Sequence, residues 1–536
     1  MSDQKRLLIA AVLMAAVLFI SWQFMGKAAP ETESISTQST IEEQRIPEQA
    51  VIPEETVTVK TIPVDTLSVK VYQDTLITDV TEKASDEPDE RSITVIIRGD
   101  SEDLVHAELT TYGGAIRSWE LPQFEDMPGA GEGNCINFNG NSWLDRDVVF
   151  ETDSPDTLII DEEPETLVLF TDDEREIRYT FVPDHYGFSI ETIGFEEMIS
   201  IPAGILPVSE MNVNTSRYFK AQWNAEKVKD RKSGDINEVE QVGNVRWIAA
   251  RSHYFAIILM PESFERAYGY IFPSGSDESP SIGIQDTRVN VFAGPLDYGR
   301  LRKLGGDTSR LVDFGWPFIR EIGRLLFWFC TNVIATINNW GIKIIVLAIV
   351  LKLVLLPLTS KSFKSMAKLK QVQPKMKTLQ EKFKSDPKAL QTAMQKLYRE
   401  EGVNPLGGCL PMLMQMPVFF ALYRVLANSV QLRGAPFMLW IQDLSHPEIL
   451  IRLQPPILGL HGIGLLAVLM GVAMFFQQKM TMTDQKQKGM MYMMPIFMTF
   501  LFMRFPAGLT LYWFTNNLLT IAQQEMIKRK LEKEQT

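Results

Sequence analysis

The alternation of apolar and polar positions changes character twice along the chain. After a basic start, MSDQKR, residues 7–24 form an apolar run, and the following Met25, Gly26 and Lys27 lack the small-residue pattern of a signal cleavage site. Residues 1–27 therefore read as an N-terminal transmembrane anchor. Residues 28–91, rich in Thr, Ser, Glu, Asp and Pro, predict a flexible acidic linker. From 92 to 305 the period becomes two: SITVII, ETLVLF, EIRYTFV and FSIETIGF alternate or run apolar between Asp, Gly and Pro turns, which predicts an antiparallel β-sandwich domain. Gly113 and Gly114, inside a strand-like stretch, point to a bulge or a close backbone approach.

Beyond residue 305 the period is helical. Residues 306–338 carry Arg320, Glu321 and Arg324 at helical spacing among apolar residues and predict an amphipathic interfacial helix. A core over 339–527 follows, with apolar spans at about 340–359, 406–426, 457–476, 490–505 and 507–521, and then a tail, 528–536. With the anchor this gives six spans. Between the first two core spans, residues 360–405 repeat apolar positions at steps of three and four on either side of Ser385, Asp386 and Pro387, a stop and restart that predicts a helical hairpin.

Charge sorts these parts across a membrane. Residues 301–536 hold 29 Lys and Arg against 13 Asp and Glu, whereas residues 1–300 hold 24 against 53. The hairpin alone has eleven basic and four acidic residues, including Lys361, Lys364, Lys368, Lys370, Lys375 and Lys377. The positive-inside rule places it in the cytoplasm with both termini, and the β-domain outside. The hairpin is either a solvated connector or a docking surface for something anionic, ribosomal RNA or lipid headgroups. Three scattered cysteines offer no disulfide framework, and the chain has no GxSxG, HExxH or Walker A motif. Neither an enzyme activity nor a cofactor is predicted, and nothing calls for specific DNA.

The run WGIKIIVLAIVLKLVLLPLT contains the one position that its hydropathy cannot explain. Lys352 lies roughly 18 Å along the helix from Trp340 and 10 Å from Thr359, where a lipid-facing ammonium would cost about 2.5 kcal/mol or more. Either its stem snorkels to the surface or it faces a hydrated interior. Gln415, Asn516 and Asn517 are further polar groups at membrane depth; each alone reads as helix-packing glue, and together with Lys352 they predict a hydrated groove. Fourteen of the 25 methionines fall in 401–505, as ordinary filling or as a surface that accommodates varied apolar partners.

The segments NWGIKII, PLTSKSFKSMAKLKQVQPKM, NPLGGCLPMLMQMPVFFALYRVL, APFMLWIQDLS, MFFQQKM, MMPIFMTFLFMRFPAGLTLYW and NNLLTIAQQ resemble the YidC/Oxa/Alb family of membrane protein insertases, in its Gram-negative form. A weaker likeness covers TYGGAI and RWIAARSHYFAIILMP. The resemblance implies a multi-domain, polytopic α-helical membrane protein, with a five-helix insertase core, a cytoplasmic hairpin and a periplasmic all-β supersandwich. It also implies a positively charged groove open to cytoplasm and lipid. The family's groove arginine, seven residues before the threonine of PLT, corresponds here to Lys352, which keeps the charge and loses the bidentate fork; Ala348 stands where relatives often carry a hydroxyl. Met416, Phe419, Phe505 and Trp513 fall at positions that the resemblance implies contact a passing segment.

The resulting expectation is a non-enzymatic insertase and chaperone of the bacterial inner membrane, without cofactors. Its expected partners are nascent membrane proteins, the Sec translocon, the ribosome and membrane lipids. Two other readings remain: a polytopic transporter, for which no repeated halves are visible, and a membrane-tethered periplasmic protein that binds or modifies carbohydrate.

Overall fold

Period-two segments become strands wherever one face can be covered. In a computed structural model, residues 90–100, 102–124, 148–195, 199–201, 218–263, 267–273, 279–402, 410–457, 460–481 and 488–533 are described; the expected anchor at 1–27 and nearly all of the linker at 28–91 lie outside them. Sheet one consists of β1 (Ser92–Arg98), β2 (Asp103–Thr110), β3 (Ile116–Glu120) and β4 (Thr157–Ile160), in the order β3-β2-β1-β4. The chain continues through β5 (Glu165–Phe170), β6 (Glu176–Phe181), β7 (Gly187–Ile193), β8 (Ile199–Ile201), β9 (Lys220–Asn224), β10 (Val228–Lys232), β11 (Glu240–Val242) and β12 (Trp247–Arg251). It ends in β13 (Phe255–Pro261), β14 (Tyr268–Phe272), β15 (Ser281–Gln285) and β16 (Arg288–Pro295). Sheet two has eight antiparallel strands, β10-β9-β12-β13-β16-β7-β6-β5, and sheet three is β11-β14-β15-β8.

Burial follows the sequence pattern. In β1 the alternate residues Ile93, Val95 and Ile97 are buried, whereas β12 is buried at every position and sheet three packs over it, which is why WIAAR reads as a continuous run. Trp119 of β3, fully buried, donates its indole N–H to the Ala293 carbonyl of β16 at 2.9 Å and so ties sheet one to sheet two. Gly113 and Gly114 occupy the turn between β2 and β3 with φ of 68° and 60°. A Cβ at Gly114 would lie 2.6 Å from Ile177 Cδ1, and the Gly114 carbonyl accepts from buried Tyr179 at 2.7 Å. The close approach is present, at a turn and not within a strand.

The stretch 306–338 is not one helix. A helix, α1 (Tyr298–Leu304), precedes it; Gly315 and Pro317 then delay the next, α2 (Pro317–Trp328), which runs into a π-helical turn at Phe329–Val333. On α2, Ile319, Leu326 and Phe327 are buried, while Phe318 and Leu325 are 66% and 62% exposed. Phe327 enters the β-domain core, together with Val425 and Val430 from the helical part. Around this joint Arg424 pairs with Asp313 at 2.9 Å, and Asn428 donates to the Asp313 carbonyl at 2.8 Å. Burial raises the Asp313 carboxyl, but Arg424 and the Gly315 N–H outweigh it and hold it below its ordinary 3.8. The joint's electrostatic contribution is thus present above that pH and is lost as pH falls through the lowered value.

Among the described residues six further α-helices follow: α3 (Trp340–Lys382), α4 (Pro387–Glu400), α5 (Leu410–Asn428), α6 (Leu465–Thr481), α7 (Lys488–Phe502) and α8 (Ala507–Lys533). Among the described residues, Trp340–Leu369 is the one helix both long and apolar enough to cross a membrane, with mean hydropathy 2.5. Asn339 caps it, accepting from Ile342 N, and Lys343 Nζ lies 4.6 Å from the Trp340 ring centroid. No break separates the expected span at 340–359 from the hairpin, because α3 continues through Pro357 and Pro374. The hairpin turns at Asp386, which caps α4 and has Pro387 behind it; Val372 and Leu397 are buried between the arms, and Lys375 pairs with Glu401 at 2.5 Å. The span expected at 457–476 needs correction. Two antiparallel strands, β17 (Ile451–Ile457) and β18 (Leu460–Ile463), occupy its start, because Pro455, Pro456 and Gly462 oppose a helix there. Helix α6 starts only at Leu465, where Glu448 accepts from the N–H groups of Leu465 and Leu466 at 2.9 and 2.8 Å. Helix α8 extends past 521 and takes in much of the expected tail.

Candidate functional site

The groove candidates gather where α3, α5 and α8 meet. Lys352, half-buried on α3, donates to Thr520 Oγ1 of α8 at 2.7 Å, and Thr520 in turn donates to the Asn516 carbonyl one turn back, also at 2.7 Å. No carboxylate pairs with Lys352 among the described residues. Two turns further along α3, Gln523 Nε2 donates to Thr359 Oγ1 at 2.8 Å and to Ser360 Oγ at 3.1 Å. At the other end Gln415 of α5 donates to Tyr512 OH at 2.5 Å.

Tyr512, Asn516, Thr520 and Gln523 are spaced by four, four and three residues, so they form one stripe on α8, about 16 Å long. Asn517 and Gln523 are each 3% exposed, and Asn517 Nδ2 and Gln523 Oε1 have no partner among the described residues. A buried polar atom left without a partner costs about 1–3 kcal/mol, so this seam has unmet capacity for hydrogen bonds. Lys352 is thus held laterally by a neighbouring helix, with no carboxylate beside it among the described residues.

Beside the polar stripe lies an aromatic cluster. Phe419 of α5 is 6.2 Å from Phe505 and 5.3 Å from Trp513 between ring centroids, both pairs close to edge-on. Phe502 lies 5.3 Å from Phe505 and 5.6 Å from Trp513, and Tyr423 lies 5.4 Å from Phe505. Met416, half-buried, precedes Phe419 by one turn on α5. The structure thus brings Lys352, Gln415, Phe419, Phe505, Trp513 and Asn516 to one helical junction, with Asn517 buried next to them on α8. Thr520, Gln523, Thr359, Tyr512, Phe502 and Tyr423 belong to the same site without having been singled out from the sequence. The spacing of 512, 516, 520 and 523 was the available signal.

On the hairpin, Lys361, Lys364, Lys368 and Lys377 are exposed, Lys375 is exposed while paired with Glu401, and the Lys370 side chain lies outside the described residues.

Comparison with known proteins gives the site a family. The model of the 60Kd inner membrane protein family matches residues 322–534, which include α3 to α8. The chain is similar to the membrane protein insertase YidC of Wolinella succinogenes, 33% identical over 402 residues, covering 74% of this chain and 71% of the relative. It is also similar to that of Geotalea daltonii, 33% identical over 479 residues, covering 80% and 86%, and to that of Chlorobium luteolum, 34% identical over 479 residues, covering 79% and 80%. A crystal structure of an active YidC insertase aligns with 81% of this chain and 94% of its own, at 19% identity and a TM-score of 0.38, too loose a superposition to carry an argument. On the strength of relatives a third identical over most of both lengths, the chain belongs to the YidC family of membrane protein insertases.

Proposed function

We propose that the chain inserts nascent proteins into the bacterial inner membrane through the junction of α3, α5 and α8. The observation that carries this reading is the Lys352 ammonium, hydrogen-bonded to Thr520 on a polar stripe and flanked by the cluster of Phe419, Phe505 and Trp513. A client's acidic or polar outer tail is drawn to Lys352, and the half-buried Gln415 and Asn516 offer hydrogen bonds to its peptide groups. Its apolar segment slides over Met416 and the aromatic rings into lipid, driven by burial worth about 25 cal/mol per Å². No step forms or breaks a covalent bond, so no catalytic residue or cofactor is required.

In this reading the chain crosses the membrane six times, counting the anchor, with α5, α6, α7 and the first half of α8 as the shorter spans. Both termini and the hairpin are cytoplasmic, and the β-domain is periplasmic. The bilayer thins around the short spans, which shortens the client's crossing. The hairpin lysines 361, 364, 368, 370, 375 and 377 form a basic docking surface for a ribosome or for anionic lipid headgroups. The protein acts alone on small clients and beside the Sec translocon on larger ones.

The competing reading places the chemistry in the β-domain. Deleting residues 92–295 separates the two. The insertase reading predicts that insertion of a small phage-coat-like protein into proteoliposomes, normalised to the amount of protein in the membrane, stays within about threefold, a change of well under 1.4 kcal/mol. A carbohydrate-directed protein would lose its activity completely.

A further inference from the structure

Helices α6 and α8 leave a second recess, lined by none of the groove residues. Its walls are two helical stripes: Leu469, Val472, Phe476 and Lys479 on α6, at steps of three, four and three, and Leu518 and Ile521 on α8. The cleft has a volume of about 390 Å³, within the rough range of 300–1,000 Å³ for small-ligand sites. It opens outward, since Val472, Phe476 and Leu518 are 49%, 52% and 46% exposed.

Length and charge select the occupant. From Leu469 to Lys479 the α6 stripe runs about 15 Å, half of the roughly 30 Å hydrocarbon core. A partner transmembrane helix needs an apolar face as long as the whole core, whereas one acyl chain needs a single leaflet's depth. Among the described residues Lys479 is the one charged residue lining the cleft, and it stands at its end; α8 continues beyond Ile521 into Lys528, Arg529 and Lys530. A chain with a phosphate at its head matches that arrangement.

The geometry points to a lipid site: the α6–α8 cleft holds one acyl chain of an acidic phospholipid of the inner leaflet, with the Lys479 ammonium against the headgroup phosphate. This rests on the topology proposed above, which puts the end of α6 at the cytoplasmic surface. The full-length protein is reconstituted in phosphatidylcholine vesicles containing phosphatidylglycerol, with a trace of one or the other lipid carrying a photoactivatable group on its acyl chain. The phosphatidylglycerol probe is expected to label peptides from α6 and α8 about fivefold more than the phosphatidylcholine probe, the preference of one lysine at a membrane surface. Lys479→Glu, on the surface, removes that preference, and Ala473→Phe, at a residue of α6 that also lines the cleft, fills it and lowers labelling by both probes. Equal labelling by the two probes, labelling spread evenly over α3 to α8, or labelling unchanged in both variants overturns the site. Insertion and labelling are measured together on a Lys352→Glu variant. Failed labelling where that variant no longer inserts overturns the lipid site alone; normal insertion by it overturns the insertase mechanism alone.

Discussion

Replacing Lys352 with glutamate is expected to lower insertion of a small client with an acidic outer tail about tenfold or more, while Lys352→Arg stays within about threefold of the parent. Two unit charges 4 Å apart interact by about 4 kcal/mol at an effective dielectric near 20, and hydration of the groove reduces that figure. Charge reversal turns the attraction into a repulsion of similar size, and a tenfold loss needs only about 1.4 kcal/mol. Lys352→Ala removes attraction without adding repulsion, so it falls between the two. The effect depends on the client: a tail without acidic residues loses much less. Protease protection of the client in proteoliposomes reads all of these.

The largest effect on folding is expected at Gly187 in β7. A Cβ there would lie 2.0 Å from the Val291 carbonyl oxygen and 3.0 Å from the Phe292 Cα of β16, the strand to which Gly187 is paired. These are backbone atoms that cannot rotate aside, so Gly187→Val separates β7 from β16 and costs more than the roughly 1–3 kcal/mol of ordinary overpacking. Amide hydrogen exchange should show lost protection across β5, β6 and β7. Insertion by the same variant should remain within about threefold at equal membrane levels, and its loss in step with the β-domain would contradict a groove that works on its own.

How far the sequence foretells this arrangement depends on what each residue has to satisfy. Alternation revealed β1 because a sheet covered on one face leaves that pattern, whereas β12, buried at every position and covered on both faces, has no alternation and was not singled out as a strand. Hydropathy alone misjudged 457–476, since it weighs Ile457, Leu458 and Leu460 as if Pro455, Pro456 and Gly462 were neutral. Helix α3 itself runs on from the expected span into the first arm of the hairpin as far as Lys382, through Pro357 and Pro374, since a proline within a helix supported by neighbours need not end it.

At the site, Lys352, Gln415, Asn516 and Asn517 were visible because each is polar where lipid should be. Thr520 and Gln523 were not, because threonine and glutamine are common near helix ends; their meaning came from the cross-helix bonds to Lys352 and Thr359. Phe419, Phe505 and Trp513 look like ordinary apolar filling in one sequence. Only the resemblance to insertases set them apart, and their meeting across α5, the turn after α7 and α8 is a tertiary fact.

Passage of client segments across the junction of α3, α5 and α8 is read by photocrosslinking of a membrane-arrested nascent client from a probe amino acid placed at position 513, compared with one at Val354, which is 67% exposed on α3. Crosslinks to the client's apolar segment are expected from position 513, with weak or absent crosslinks from position 354 and loss of the first set in the Lys352→Glu background. Equal crosslinking from both positions, or crosslinks from 513 that persist undiminished in Lys352→Glu, would contradict it.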